Sequence, residues 1–395
     1  MKYHITPNRQ QQEAIQAGFK WYRSRSKQVF EIAGYAGTGK TTLVNWILDA
    51  CGLKVSDGAF VAYVGKAAMV MAQKGLPART IHSLIYETID VPKVDKNGEV
   101  IYYDGKIVYT KKFIKRKFLS KDIKIIIVDE GSMVDTKILN DLKSFDIPII
   151  ILGDLHQLPP VFGSPACLIH PDVVLTEIMR QQEGNPIIHF ATLARTRKFS
   201  EFRPGNYGKV YIGYKDDLLY NQRLVLNSNV IICGFNKTRE DLNSYIREDV
   251  YGFPPNKLCI GDKIICREND WSRALDENTY LINGMVGYVE DIDLETLNSR
   301  QVQIDFRPEF ETKRMFRNVI MDRRYLAMSQ KDKENYRSAL NKFEYGYAIT
   351  CHLSQGSQYN NVLVVNEHFG RSPEMYSKWL YTAITRAVEG LVIAL

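Results

Sequence analysis

Residues 34–42 read Gly34-Tyr35-Ala36-Gly37-Thr38-Gly39-Lys40-Thr41-Thr42, a glycine-studded turn closed by a lysine and two threonines. It follows the apolar run Val29–Ala33 and precedes the helix-like stretch Leu43–Leu48. Gly34-x-x-x-x-Gly39-Lys40-Thr41 is the full P-loop pattern in a strand–turn–helix setting. Backbone N–H groups of such a turn, together with the helix N-terminus, wrap a phosphate without side-chain interference. Gly37, Thr38, Gly39, Lys40, Thr41 and Thr42 are therefore expected to bind nucleotide. Lys40 is expected on the β- and γ-phosphates, and the Thr41 hydroxyl on Mg²⁺. ATP and Mg²⁺ are the implied cofactors.

A metal-bound triphosphate calls for carboxylates. Ile125-Ile126-Ile127-Val128-Asp129-Glu130 supplies two at the end of a buried strand, where ligands bind in parallel sheets. Asp129 is expected to hold Mg²⁺, and Glu130 to orient or deprotonate the attacking water. The next aliphatic run, Ile149–Leu152, leads into Gly153-Asp154-Leu155-His156-Gln157, which offers Gln157 as a sensor of the γ-phosphate.

Strand-length apolar runs alternate with helix-like stretches through residues 29–195, and again around 230–233 and 345–394. This predicts an α/β chain with two domains, each a parallel sheet covered by helices, at 1–200 and 201–395. Two interruptions are expected to be insertions. Residues 86–120 contain Asn97-Gly98 and Asp104-Gly105, the preferred two-residue hairpin turns, and predict a β meander carrying Tyr102, Tyr103 and Tyr109. It leads into residues 111–118, with five basic side chains and no acid. Residues 266–344 mix short strands with a charged helical stretch near 329–343.

Composition narrows the classes. A chain of 395 residues exceeds one core. The 45% apolar content, with no run of about 20 apolar residues, predicts a soluble chain with no membrane partner. The N-terminus lacks the apolar block of a signal peptide, and six scattered cysteines without a Cys-x-x-Cys pair read as reduced thiols, so a cytoplasmic location is expected. A net charge of +7 is compatible with an anionic partner.

With these segments the chain resembles the RecD-like branch of superfamily 1 helicases over nearly its whole length. The resemblance marks Gln11 (Gln10 being the alternative) in Thr6-Pro7-Asn8-Arg9-Gln10-Gln11 as an adenine contact. It marks Lys66, in residues 64–75, as a single-strand contact, although Tyr63-Val64 stands where the pattern has Pro-Thr. Thr80 and His82, in residues 78–86, are marked as further strand contacts. Arg180 and Arg386 match the two arginines that meet the γ-phosphate, a role suited to a planar, permanently charged fork. His352, Ser354, Gln355 and Gly356 match a segment linking nucleic acid to nucleotide, from which Leu353 and Gln358 depart. Tyr102 and Tyr103 fall where the family carries a strand-separating pin, and residues 281–292 where it carries a small β-barrel.

What the resemblance implies is an ATP-dependent DNA helicase moving 5′ to 3′ on single-stranded DNA and opening duplex junctions. It would work as a monomer, with single-strand-binding or replication proteins as candidate partners. RNA stays open as a substrate, as does the pathway among replication, recombination and repair. The alternatives are a DNA-stimulated translocase without strong unwinding and a P-loop kinase or GTPase. A GTPase requires Asn-Lys-x-Asp, and the nearest match, Asn236-Lys237-Thr238-Arg239, lacks the aspartate.

Overall fold

The structure, a computed structural model, describes residues 6–73, 75–92, 94, 98–100, 102–103, 106–107, 109–159, 166–179, 184–255, 257–275, 279–293, 301–336 and 340–395. Two six-stranded sheets organise it. The first runs Val173–Leu175, Val29–Gly34, Ile149–Gly153, Ile125–Asp129, Gly58–Ala62, Ala78–Thr80 from edge to edge, with every pairing parallel. Ile125, Ile126, Ile127 and Val128 are at most 1% exposed. A strand covered on both faces reads as a continuous aliphatic run, which is why its period of two vanished from the sequence.

The second sheet runs Gly205–Asn206, Val210–Gly213, Ala387–Ala394, Tyr359–Val365, Val230–Cys233, Ala348–Thr350. It is parallel except at its Gly205–Asn206 edge. Its core takes in the helix Pro373–Ile384 and also Ile187, Phe190 and Ala194 of the helix Pro186–Arg195. That helix falls within the expected first domain, residues 1–200, and its apolar face packs in this core.

The two insertions differ in detail from their expected forms. Tyr86–Pro92 pairs antiparallel with Tyr109–Lys115 as one long ribbon, while Tyr102–Tyr103 pairs with Lys106–Ile107 and Val94 bridges Val100. Among the described residues the tip thus pairs on itself and the flanks pair with each other, in place of the expected meander. The basic run begins inside this ribbon, as residues 111–115 belong to its second strand.

The later insertion is a five-stranded antiparallel sheet built on Lys263–Cys266, Val286–Asp293, Gln301–Pro308, Phe316–Asp322 and Phe343–Tyr345. A bridge from Met321 to Asn341 brings its far edges together. The helical stretch expected near 329–343 shrinks to Gln330–Asn335, because Phe343–Tyr345 joins this sheet. Phe343–Tyr345 is separated from the strand Ala348–Thr350 at Gly346, where an added Cβ would stand 3.1 Å from the Ile264 backbone.

Candidate nucleotide site and polymer cleft

The turn after Val29–Gly34 holds Gly37 at φ 80° and Gly39 at φ 77°, left-handed values that side chains disfavour. Gly39 precedes the helix Lys40–Ala50 and gives it no side-chain cap, so the first N–H groups of that helix point into the turn. Lys40 Nζ folds back on the carbonyls of Gly34 (2.6 Å) and Tyr35 (3.1 Å). Thr38 is buried, its hydroxyl donating to Tyr35 O (2.8 Å). Gln11, 1% exposed, donates to Thr38 O (3.0 Å) and accepts from Asn8 N–H (3.0 Å). Gln10 instead braces the neighbouring loop, donating to Thr176 Oγ1 (2.8 Å) and accepting from Thr176 N–H (2.9 Å). Of the two glutamines, Gln11 is the one beside the phosphate turn.

Asp129 ends its strand and accepts the Glu130 N–H (2.9 Å). Glu130 sits at φ 52°, a left-handed conformation unusual for a residue with a side chain and found disproportionately at functional sites. Its pKa is raised above the usual 4.5: burial is the largest cause, the Arg386 charge opposes it, and Asp129 adds to it. With its amide oriented to satisfy both neighbours, Gln157 donates to Glu130 Oε2 (3.3 Å) and accepts from Arg386 Nη2 (3.3 Å). Arg386, 4% exposed, is anchored on Thr382 O (3.1 Å) and Ser357 O (3.1 Å) of its own lobe. The two lobes therefore meet at the carboxylate expected to handle water. Arg180 lies outside the described residues.

The Thr41 hydroxyl makes no hydrogen bond among the described residues, and Asp129 accepts only the one N–H. One hydroxyl and one carboxylate, completed by phosphate oxygens and water, suit Mg²⁺, which seldom takes an all-protein cage.

Around this centre the lobes are fastened by contacts that sequence reasoning missed. Tyr381 Oη donates to Asp154 Oδ2 (2.5 Å) and accepts from Ala36 N–H (2.7 Å). Thr382 Oγ1 accepts from Leu158 N–H (2.9 Å), and Gln355 Nε2 donates to Leu158 O (2.7 Å). The Arg195 guanidinium lies 3.9 Å over the Tyr35 ring.

A cleft of about 560 Å³ separates the first lobe from the second insertion, lined by Gly65, Thr80, His82, Tyr86, Phe113 and Arg116 on one side and Tyr280 and Ile282 on the other. His82 packs among the rings of Tyr86 (5.5 Å), Tyr63 (6.0 Å) and Phe113 (6.0 Å), and burial lowers its pKa. Thr80 lines the cleft while capping the helix Ile81–Ile85 through Ser83 N–H (3.1 Å). Lys66, expected as a strand contact, is paired across the lobes. Its ammonium donates to Tyr359 Oη of the other lobe (2.6 Å) and lies 4.4 Å from that ring's centre.

Two residues expected as strand contacts are hydrogen-bonded within the protein. Ser354 is fully buried and donates to Cys351 O (2.7 Å), and Gln355 is committed to Leu158 between the lobes. Both side chains were spent on holding the segment and the interface. Gly356, expected at the nucleotide, lies at φ 71°, where an added Cβ would stand 2.8 Å from Val64 and 2.9 Å from Ala67. His352 is half-buried beside Phe369 (5.7 Å), its pKa lowered by burial. Tyr102 and Tyr103 lie on the ribbon tip, their side chains outside the described residues.

Fold and site together define a two-lobed RecA-like P-loop protein with an inter-lobe arginine. Residues 6–201 match the family described as AAA domain, and residues 345–394 the family described as UvrD-like helicase C-terminal domain. The ATP-dependent DNA helicase dda of Enterobacteria phage T4 is 29% identical over 266 residues, 60% of this chain and 56% of its own length. The ATP-dependent DNA helicase Pif1 of Campylobacter jejuni is 23% identical over 90% of this chain and 86% of its own. Among solved structures, Bacteroides Pif1 bound to ssDNA shares the fold, with a TM-score of 0.53 at 19% identity over 99% of this chain and 92% of that one. The chain spans little more than half of the phage helicase and 36% of a second relative, from Methanocaldococcus jannaschii. It is related to the superfamily 1 helicases of the Dda, Pif1 and RecD2 kind. Among the described residues no helix is long and apolar enough to cross a membrane.

Proposed function

We propose that this protein is an ATP-dependent DNA helicase that moves 5′ to 3′ on single-stranded DNA and separates duplex strands. One observation carries the reading: Arg386 of the second lobe and Glu130 of the first share Gln157 at the end of the P-loop sheet. A triphosphate in the turn joins the two lobes through Lys40 and Arg386. Lys40 exchanges the Gly34 and Tyr35 carbonyls for phosphate oxygens, and Gln11 meets the adenine. Thr41 and Asp129 would hold Mg²⁺, which would supply neutralisation of phosphate charge. Glu130 takes a proton from the attacking water, and Arg386, with Arg180, stabilises the charge that develops.

Loss of the terminal phosphate removes the attraction holding Arg386, and the lobes part. Strand lying across Thr80, His82 and Lys66 on one lobe and the His352 segment on the other is gripped alternately, mainly through its phosphates and by stacking, with little dependence on sequence. The 86–115 ribbon, with Tyr102 and Tyr103 at its tip, is the wedge at the duplex junction. Residues up to the Val173–Leu175 strand and its following loop form one motor lobe, and those from Pro186 onward the other.

Phosphate release with and without single-stranded DNA, and displacement from duplexes with a 5′ or a 3′ tail, test the reading. Stimulated hydrolysis with displacement from the 5′ tail is expected. Hydrolysis indifferent to DNA would refute the motor, and stimulation without displacement from either tail would reduce it to a translocase.

A further inference from the structure

Tyr381 is 2% exposed, and its hydroxyl makes two hydrogen bonds, both to the opposite lobe. It accepts the Ala36 N–H of the phosphate turn (2.7 Å) and donates to Asp154 Oδ2 (2.5 Å). Asp154, 1% exposed, also accepts the His156 N–H (3.0 Å), which fixes the loop presenting Gln157. The flanking residue Thr382 holds Leu158 of that loop, and Thr382 O anchors the Arg386 guanidinium. One hydroxyl on the helix that leads into Arg386 thus touches both the phosphate turn and the Gln157 loop.

We propose that Tyr381 is a positioning residue for hydrolysis: it sets the phosphate turn and the Gln157 loop in their working register only when the second lobe is docked. The chemistry suits the task. A phenol both donates and accepts, so a single oxygen serves a backbone N–H and a carboxylate at once. Burial first, and then the Asp154 charge, hold the phenol protonated far above neutral pH, so the donor is always available. The Asp154 carboxylate is buried at this junction and the Ala36 N–H is half-buried. Parting the lobes takes the phenol from both, which leaves Asp154 with the His156 N–H alone and favours re-docking over a half-open state.

This inference rests on the site hydrolysing ATP, and its test keeps the two apart. Tyr381→Phe keeps the ring, which packs in the second lobe's core, and removes only the hydroxyl. We expect kcat for DNA-stimulated hydrolysis to fall about tenfold to a hundredfold. KM for ATP should stay within about twofold of wild type, because the phosphate contacts belong to other atoms. Asp154→Asn should weaken turnover in the same way, and the double variant should cost no more than the larger single effect. Amide exchange at Ala36 should quicken about tenfold in Tyr381→Phe, a readout that requires no turnover. Unchanged kcat, equal losses appearing through KM, additive effects in the double variant, or unchanged Ala36 exchange would each overturn the proposal. Absence of stimulation in the wild type would instead refute the motor reading and leave the Ala36 exchange to decide the role of Tyr381.

Discussion

Glu130 and Arg386 come from different lobes and share one side chain: Gln157 donates to the carboxylate and accepts from the guanidinium, each at 3.3 Å. Arg386 is thereby placed at the first lobe's Glu130 carboxylate, not on a free surface. Arg386→Ala should cut ATP turnover about 10³-fold or more, as loss of an arginine at a transferring phosphoryl group does. Lys40→Ala should be comparably inactive. Both should bind single-stranded DNA within about threefold of wild type, since neither lines the cleft. Steady-state hydrolysis and filter-binding titrations check this pair of expectations.

The acid side of the pH–rate profile should report Glu130. Its carboxyl titrates above the usual 4.5 because burial, reinforced by Asp129, outweighs the Arg386 charge. The deprotonated form is the one that accepts a proton from water. Turnover should therefore be lost as pH falls through the raised pKa, at a higher pH than an ordinary carboxylate would give. Glu130→Gln should lower kcat about 10²- to 10⁴-fold and leave the remainder without that acid limb. An unshifted limb, or one that survives in Glu130→Gln, would remove Glu130 as the base.

Lys66 is held by Tyr359 across the lobes, so a strand phosphate has to compete with a phenol and its ring. Tyr359→Ala should tighten single-stranded DNA binding at low salt by freeing the ammonium. Lys66→Ala should weaken it and reduce the slope of log affinity against log salt by about one. Titrations at several salt concentrations distinguish this from a purely structural contact, for which Tyr359→Ala would weaken binding.

Gly356 closes the lobes at φ 71°, with Val64 and Ala67 where a side chain would go. Gly356→Ala adds left-handed strain of about 1–2 kcal/mol and a methyl group against the first lobe. If that strain falls on the docked state alone, turnover drops roughly tenfold while the folded content measured by circular dichroism is retained.

The parts legible in the sequence are those whose chemistry is contiguous. The P-loop turn needs glycines, a lysine and a threonine within nine residues, and Asp129-Glu130 follows four aliphatics directly. Gln157 was readable as a polar residue following an aliphatic strand and Arg386 as a resemblance, and their convergence belongs to the docked lobes. Contacts made by docking left little trace. Tyr381 and Tyr359 look like core aromatics, while Ser354 and Gln355 look like surface polar residues until Cys351 and Leu158 claim them. The helix Pro186–Arg195 has an apolar face that would fit either lobe, and periodicity cannot say which sheet receives it. In the ribbon, Asn97-Gly98 and Asp104-Gly105 announced turns without saying that the outer flanks would pair with each other.

The central claim is that both lobes clasp one triphosphate. Its most direct test is the distance between spin labels on exposed residues of the two lobes, taken without nucleotide, with a non-hydrolysable ATP analogue and with ADP. The account predicts a shorter distance with the analogue than with ADP, and no shortening in Arg386→Ala. An identical distance in all three states, or full shortening without the arginine, would contradict it.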